Sequence, residues 1–462
     1  MELRDLPALL RIFGEHAFAG VFHFLKRSVF LAERRPCSDH RWWEGPGIGV
    51  MYQIEYRPGM DWDRNFDDFN QSMRSDDGSL MFNGPFCRVK EWVALSKMIG
   101  VDYHIFETKW HDGICYFDTA LTNWKTPVDY AGIFALESKE EGIPFLYYYS
   151  AVFDHNPMFD DIQPHPDRTA SFLGNEKRYI DYALAQIEEL LEKYAPDGMW
   201  IDWCWPDLLT WEIVKMFQLR YPDKILTFNA SNYLPWSYKR LTYTSGEAHD
   251  LTGPYVRLFK IDGRTAFAFS SAWKWSNLNR RTLEQPWELV GPAGKWWQDP
   301  SLRDDPLDLL RMAAVIMSCG GKFCIGATAK LDGDIYADQV KQLEMLGEWY
   351  IPRKKYFRAS VPLKYRTIEP DFVAVSGPVF RKVAARADGD VLIHLINMKG
   401  LSVDLRVEVS LSQLNKFSRV RIAPSDESLD VERSVNGIIV KIPKAMVDPV
   451  DTILVLKDAL NR

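Results

Sequence analysis

The sequence predicts an α/β protein: a TIM-like (β/α)8 barrel followed by a C-terminal antiparallel β-sandwich. Three observations carry that expectation. Short β-rich runs alternate with helix-like segments until eight have accumulated, and strand alternating with helix means parallel pairing. After about residue 355 the helical segments stop and only short β-runs remain, separated by turns. The 462 residues also exceed the length at which one hydrophobic core stops growing. The expected division is an N-terminal helical and loop extension over 1–47, a barrel over 48–354 and a sandwich over 355–462.

The eight runs are IGVMYQIEY (48–56), VDYHIFE (101–107), IPFLYYYS (143–150), GMWIDW (198–203), KILTFN (224–229), LTYTSGE (241–247), TAFAFSSAW (265–273) and KFCIGATA (322–329). Between them, helical periodicity is clearest in FCRVKEWVALSKMIG, KRYIDYALAQIEELLEKYAP and DDPLDLLRMAAVIMSCGG, where Gly or Pro marks the stop. The sandwich is expected from FVAVSG, DVLIHLINM, LRVEVSL, GIIVKIP and TILVLKD. The first 45 or so residues read as helix and then loop, with no function attached.

Composition narrows the function classes. Apolar residues at 47% and charged residues at 26% describe an ordinary globular chain. A net charge of −7 without basic runs argues against nucleic acid as a partner. The opening MELRDLPALLRIFGEH lacks an uninterrupted apolar stretch, and no later segment reaches the roughly 18 apolar residues of a membrane span, so a cytoplasmic enzyme with no membrane partner is expected. The six cysteines are scattered and read as reduced. No HxH or HExxH places histidines at metal-ligand spacing, and GPGIG precedes a strand rather than following one, so neither metal nor cofactor is expected. Aromatics reach 14%, with 17 tryptophans, many beside Gly, Asp, His or Asn, which suits stacking on sugar faces.

In such barrels the active site lies at the C-terminal ends of the strands. Those ends here are Glu107, Ser150, Asp202, Asn229, Glu247 and Trp273. Asp202 follows an apolar run among Trp200, Trp203 and Trp205, a setting that excludes water around a carboxylate; its other reading is the N-cap of the next helix. Glu247 projects from the same rim. Glu288, expected on a loop after the seventh strand, competes with it as the acid, and either glutamate can instead bind a sugar hydroxyl or an arginine. A glycosidase of the retaining kind needs two carboxyl groups about 5 Å apart, and an inverting one sets them further apart. In KWHDG, Lys109, Trp110, His111 and Asp112 sit just past the second strand, where His111 can donate to a sugar hydroxyl.

These motifs, taken in order from about residue 48 to 350, resemble the α-L-fucosidases of glycoside hydrolase family 29. The likeness runs through EWVALSKMIGVDYHIFETKWHDGICYFDTALTNW, FLYYYS, MWIDW and LLRMAAVIMSCGGKFCIGATAKLDGDIYADQVKQLEMLGEWY. The resemblance implies a retaining exo-glycosidase acting on an oligosaccharide or other glycoside. In it Asp202 attacks the anomeric carbon, His111, Trp124, Tyr148 and Tyr149 line the sugar pocket, and Glu247 or Glu288 protonates the leaving oxygen. Two positions depart from the family pattern: its strand-one histidine is Gln53 here, and the first histidine of its His-His-Asp-Gly turn is Trp110. Gln53, Trp110, Trp203 and Asn229 join the expected substrate-binding set. A glycosidase of different sugar specificity, a catalytically inactive carbohydrate-binding barrel and a metal-dependent hydrolase are the competing readings, and self-association stays open.

Overall fold

The computed structural model describes residues 42–54, 88–151, 154–162, 173–202, 207–229, 231, 240–247, 257–261, 264–268, 286–295, 297, 302–330, 333–358, 360–362, 373–375, 379–386, 388–397, 402–410, 419–435 and 437–459. The expected N-terminal extension, apart from its last residues, lies outside them, as do Trp203 and Trp205.

Eight strands form one parallel sheet: β1 (Gly47–Ile54), β2 (Tyr103–Lys109), β3 (Phe145–Ser150), β4 (Gly198–Asp202), β5 (Ile225–Phe228), β6 (Thr244–Glu247), β9 (Trp287–Pro292) and β10 (Lys322–Ala329). The hydrogen-bonded order is β5-β4-β3-β2-β1-β10-β9-β6, so the last strand closes on the first. The seam between β5 and β6 is bridged just before β6: Thr242 N–H donates to Leu226 O at 2.9 Å, and Thr227 Oγ1 donates to Tyr243 O at 2.9 Å.

Strand alternation then sorts the side chains. Met51, Tyr103, Ile105, Leu146, Tyr148, Trp200, Ile225, Tyr243, Val290 and Cys324 fill the lumen as one apolar cluster. Their sequence neighbours, such as Val50, Phe106, Tyr147, Ile201 and Phe323, pack outward in the larger core.

The helices follow from their patterns. α1 (Val89–Ile99) buries Val89, Trp92, Val93, Ser96 and Ile99, the i, i+3, i+4, i+7, i+10 stripe of a helix lying on a sheet. It ends at Gly100, whose φ of +73° favours glycine, with its N–H accepted by Lys97 and Ser96 carbonyls. α2 (Tyr130–Glu141), α3 (Lys177–Tyr194) and α4 (Leu208–Arg220) continue the alternation. Asp129 caps α2 by accepting from Gly132 N–H at 3.0 Å. α5 (Asp308–Ser318) differs: every one of its residues is buried.

One strand departs from expectation. The seventh barrel strand is Trp287–Pro292, not TAFAFSSAW. Arg264–Ala268 (β8) instead pairs antiparallel with Arg257–Ile261 (β7) in a two-stranded ribbon outside the barrel sheet. The sequence between them is Asp262-Gly263, the dipeptide most suited to a two-residue hairpin turn.

The C-terminal part is two antiparallel sheets, as expected. One contains β11 (Ser360–Pro362), β13 (Val379–Arg386), β14 (Val391–Asn397), β20 (Asp451–Lys457), β16 (Arg419–Ala423) and β17 (Glu427–Ser428), in that order. The other contains β12 (Val373–Val375), β15 (Leu405–Ser410), β19 (Gly437–Ile442) and β18 (Val431–Arg433). Val391, Ile393 and Leu395 of β14 fill the space between the sheets, while Leu392 and Ile396 of the same strand join the barrel's outer core.

Candidate active site at the C-terminal mouth of the barrel

Asp202 is the last residue of β4, where the strand opens at the barrel mouth. It is 6% exposed. Its Oδ2 accepts from Tyr148 Oη at 2.5 Å, and its Oδ1 accepts from Asn229 Nδ2 at 2.9 Å. Tyr148 comes from the neighbouring strand β3, and Asn229 directly follows β5 on the other side. Three adjacent parallel strands thus set one carboxylate. The helix-cap reading of Asp202 is answered too: α4 is capped by Asp207, which accepts from Thr210 N–H at 2.7 Å.

The second carboxylate is Glu247, half-buried at the end of β6. Asn229 Nδ2 also donates to Glu247 Oε1, at 2.7 Å. One amide nitrogen therefore holds both acids, and their bonded oxygens lie at most about 5.6 Å apart, the sum of the 2.9 and 2.7 Å bonds.

His111 faces the same point. Its Nε2 is 3.5 Å from Asp202 Oδ2, and its Nδ1 is 2.7 Å from Ser150 Oγ. Burial, helped by nearby His155 and Lys109, pulls its pKa down to about 3, so the imidazole is neutral at ordinary pH. The turn carrying it is built from behind. A register shift between Glu107 and Lys109 brings Trp110 into the lumen cluster and turns Lys109 outward. There Lys109 forms a fully buried ion pair with Asp154, 4.2 Å from the centre of the Tyr149 ring. His155 N–H donates to His111 O at 2.9 Å, and Gly113, at φ +75°, has no room for a Cβ against Asp154 and Asn156. Trp110 stacks on His111 with centroids 4.9 Å apart, and Trp124 is buried with its indole N–H on Asp112 O at 3.1 Å.

Gln53 lies on β1, 7% exposed, and Gly326 on β10 leaves space for the Trp297 ring beside it. Trp297, partly buried against the lumen cluster, is a residue the sequence reading passed over. Its signal was its place in GKWW, immediately after a strand.

Two expected residues fall elsewhere. Glu288 is on a strand, not on a following loop. It is the second residue of β9, beside Lys322 in register, low in the lumen. It accepts from Trp200 Nε1 at 2.9 Å, Ser245 Oγ at 2.7 Å, Tyr243 Oη at 3.3 Å and Tyr103 Oη. A carboxylate saturated by four donors is fixed as part of the barrel floor. Tyr149 is turned away from the mouth: its hydroxyl donates to Gln186 on α3 at 2.8 Å. Consecutive strand residues face opposite sides, so Tyr148 and Tyr149 cannot both line the lumen.

An acid pair at the C-terminal mouth of a closed parallel barrel is the arrangement of the barrel glycoside hydrolases. Within that class the comparisons are specific. The family model for "Alpha-L-fucosidase" matches residues 50–352, and the chain belongs to that family. An α-L-fucosidase of Branchiostoma floridae is 22% identical over 327 residues, 68% of this chain; the match spans 65% of that relative's length. The fold matches the Thermotoga maritima α-fucosidase crystallised with a mechanism-based inhibitor, with a TM-score of 0.64 at 20% identity, covering 90% of this chain and 96% of that one. It also matches a family 29 α-L-fucosidase of Bacteroides thetaiotaomicron trapped as a covalent intermediate, with a TM-score of 0.65 at 18% identity, covering 92% and 98%.

Proposed function

We propose that this protein is a retaining, exo-acting glycoside hydrolase of the α-L-fucosidase type, with Asp202 as nucleophile and Glu247 as acid/base. The observation that carries the reading is the shared Asn229 amide. It limits the separation of the two carboxylate oxygens to about 5.6 Å, the retaining range and below the roughly 6.5–9.5 Å of inverting pairs.

In this reading Asp202 attacks the anomeric carbon and forms a glycosyl ester while Glu247 gives its proton to the leaving oxygen. Water enters, Glu247 takes its proton, and the ester is cleaved with the original configuration restored. Tyr148 and Asn229 orient the nucleophile, and neutral His111, with Nε2 3.5 Å from Asp202, carries one donor and one acceptor nitrogen suited to a sugar hydroxyl. Glu247 is more exposed than Asp202, as suits a group that exchanges protons with leaving group and water. That the covalent intermediate of the Bacteroides thetaiotaomicron enzyme was trapped supports the same chemistry here.

One observation favours a sugar other than fucose: Gln53 and Trp110 stand at the mouth where the family pattern has histidines. The test is nitrophenol release from a panel of aryl glycosides, α-L-fucoside included, with the configuration of the first-formed sugar read by NMR. Retention, and loss of turnover in Asp202→Asn, are expected. Inverted product would overturn the two-step mechanism.

A further inference from the structure

Besides Asp202, Glu247 and Glu288, the lumen holds a fourth acid, and this chemistry does not use it. Glu107 lies on β2 in alternation with Tyr103 and Ile105, both in the lumen cluster, so its side chain faces inward. Its register partner is Tyr148, the residue that holds Asp202. Ile54, the last residue of β1 and next to Gln53, donates its N–H to Glu107 Oε1 over a long 3.4 Å. Among the described residues Oε2 has no hydrogen-bond partner, although Glu107 is only 1% exposed. Tyr148, at 2%, is as deeply placed, so depth does not separate Glu107 from the rest of the site.

The contrast with Glu288 is informative. That acid, on the same inner surface, takes four donors. Buried polar oxygens are nearly always satisfied, and one that is not calls for a partner the fold itself does not supply. Burial first, and then the charges of Asp112 and Asp202, hold the Glu107 carboxyl well above the usual carboxylate range. That direction favours the protonated carboxyl, which is a donor at one oxygen and an acceptor at the other. Gln53, on the adjacent inner position, is neutral and has the same double capacity.

We propose that Glu107 is a specificity-determining residue: with Gln53 beside it, its carboxyl binds a hydroxyl of the sugar that Asp202 attacks. The pocket on this side offers hydrogen-bonding groups beside the acids Asp202 and Asp112, so it selects an uncharged, hydroxyl-bearing sugar and rejects a uronic acid. This rests on the glycosidase reading above.

The test compares wild type, Glu107→Met and Glu107→Gln on the best aryl glycoside from the panel and on its singly deoxygenated analogues. Affinity for the matching free sugars is measured in parallel by calorimetry on the Asp202→Asn form of each variant, which needs no turnover. Wild type is expected to lose roughly 30–300-fold in kcat/KM on one deoxy analogue, the size of a buried hydroxyl left unmatched. Glu107→Met is expected to lose a similar factor on the parent sugar and to stop discriminating that one analogue. Glu107→Gln, neutral and of the same shape, should recover most of the loss. An equal loss on every analogue, or a Gln variant no better than Met, overturns the proposal while leaving the hydrolase intact. Selective binding of the hydroxyl without turnover in the wild type supports Glu107 and overturns the hydrolase reading alone.

Discussion

Two carboxylate clusters lie in one barrel, and they are built in opposite ways. At the mouth, Asp202 and Glu247 share a single Asn229 amide, with Tyr148 and a neutral His111 at Asp202. At the floor, Glu288 is surrounded by Trp200, Tyr103, Tyr243 and Ser245, all donating to it, with Lys322 in the adjacent register position. The same functional group is bridged to a second acid in one place and ringed by four donors in the other. What separates them is height along the strand and the number of donors. The clusters are also mechanically joined: Trp200, a donor to the floor acid, stacks on Tyr148 at 5.4 Å, and Tyr148 donates to Asp202.

The largest expected effect breaks this comparison at both ends. Asp202→Asn should lower kcat by at least about 10⁴-fold while leaving the thermal midpoint within a few degrees. Glu288→Leu should do the reverse in stability, because four buried donors lose their acceptor: about 3–5 kcal/mol, seen as a fall of several degrees in the unfolding midpoint. A Glu288 variant of unchanged stability would remove the structural assignment.

Next in size is the shared amide. Asn229→Ala frees the two acids from their common donor, and a loss of roughly 10²-fold in kcat with a shifted pH optimum is expected. An unchanged pH–rate profile would show that the bridge does not tune the pair. The strand pair Tyr148 and Tyr149 sharpens the point further. Tyr148→Phe should cost about tenfold in kcat/KM with little change in stability. Tyr149→Phe, which removes only the bond to Gln186, should cost about 1 kcal/mol in urea unfolding and leave kinetics alone.

A separate effect, confined to acid conditions, concerns stability. His104, behind β2, is wholly buried, and burial pulls its pKa from 6.5 to about 3. The unfolded chain therefore binds a proton below pH 6.5 that the folded one refuses. The stability His104 gives is full above pH 6.5 and drains away as pH falls toward 3, at up to about 1.4 kcal/mol per pH unit. Glu107, raised instead of lowered, acts with the opposite sign at these pH values, so the test is a difference. The stability–pH curve of His104→Gln should be flatter than wild type by one proton between pH 6 and 4.

Much of this was legible in the chain. The barrel followed from β-runs alternating with amphipathic helices; Asp202, Glu247 and Asn229 followed from asking which residues end the strands, His111 from the turn just past the second strand, and Tyr148 from the family resemblance. The seventh strand was not legible because TAFAF has stronger β character than WELVGP; only the Asp-Gly before it hinted that it folds back as a hairpin. That error carried Glu288 to the wrong end of its strand. Tyr149 failed for another reason: the inward phase of FLYYYS is set by the lumen it packs into, and three successive tyrosines do not reveal it. The shared amide could not be read at all, because it joins residues from three strands through space.

The wholly buried helix α5 has a consequence for how the protein can be handled. Its barrel side lies against β10, and its other side packs on β13 and β14 of the sandwich, where Leu392 and Ile396 of β14 alternate with residues filling the space between the sheets. A helix buried on every side, and mostly apolar, has no broad face fit for water. A chain cut near residue 355 would lay that surface bare on an otherwise finished barrel and should precipitate rather than work as a minimal enzyme. The sandwich is a wall of the barrel's house, and the two halves of the chain stand or melt together.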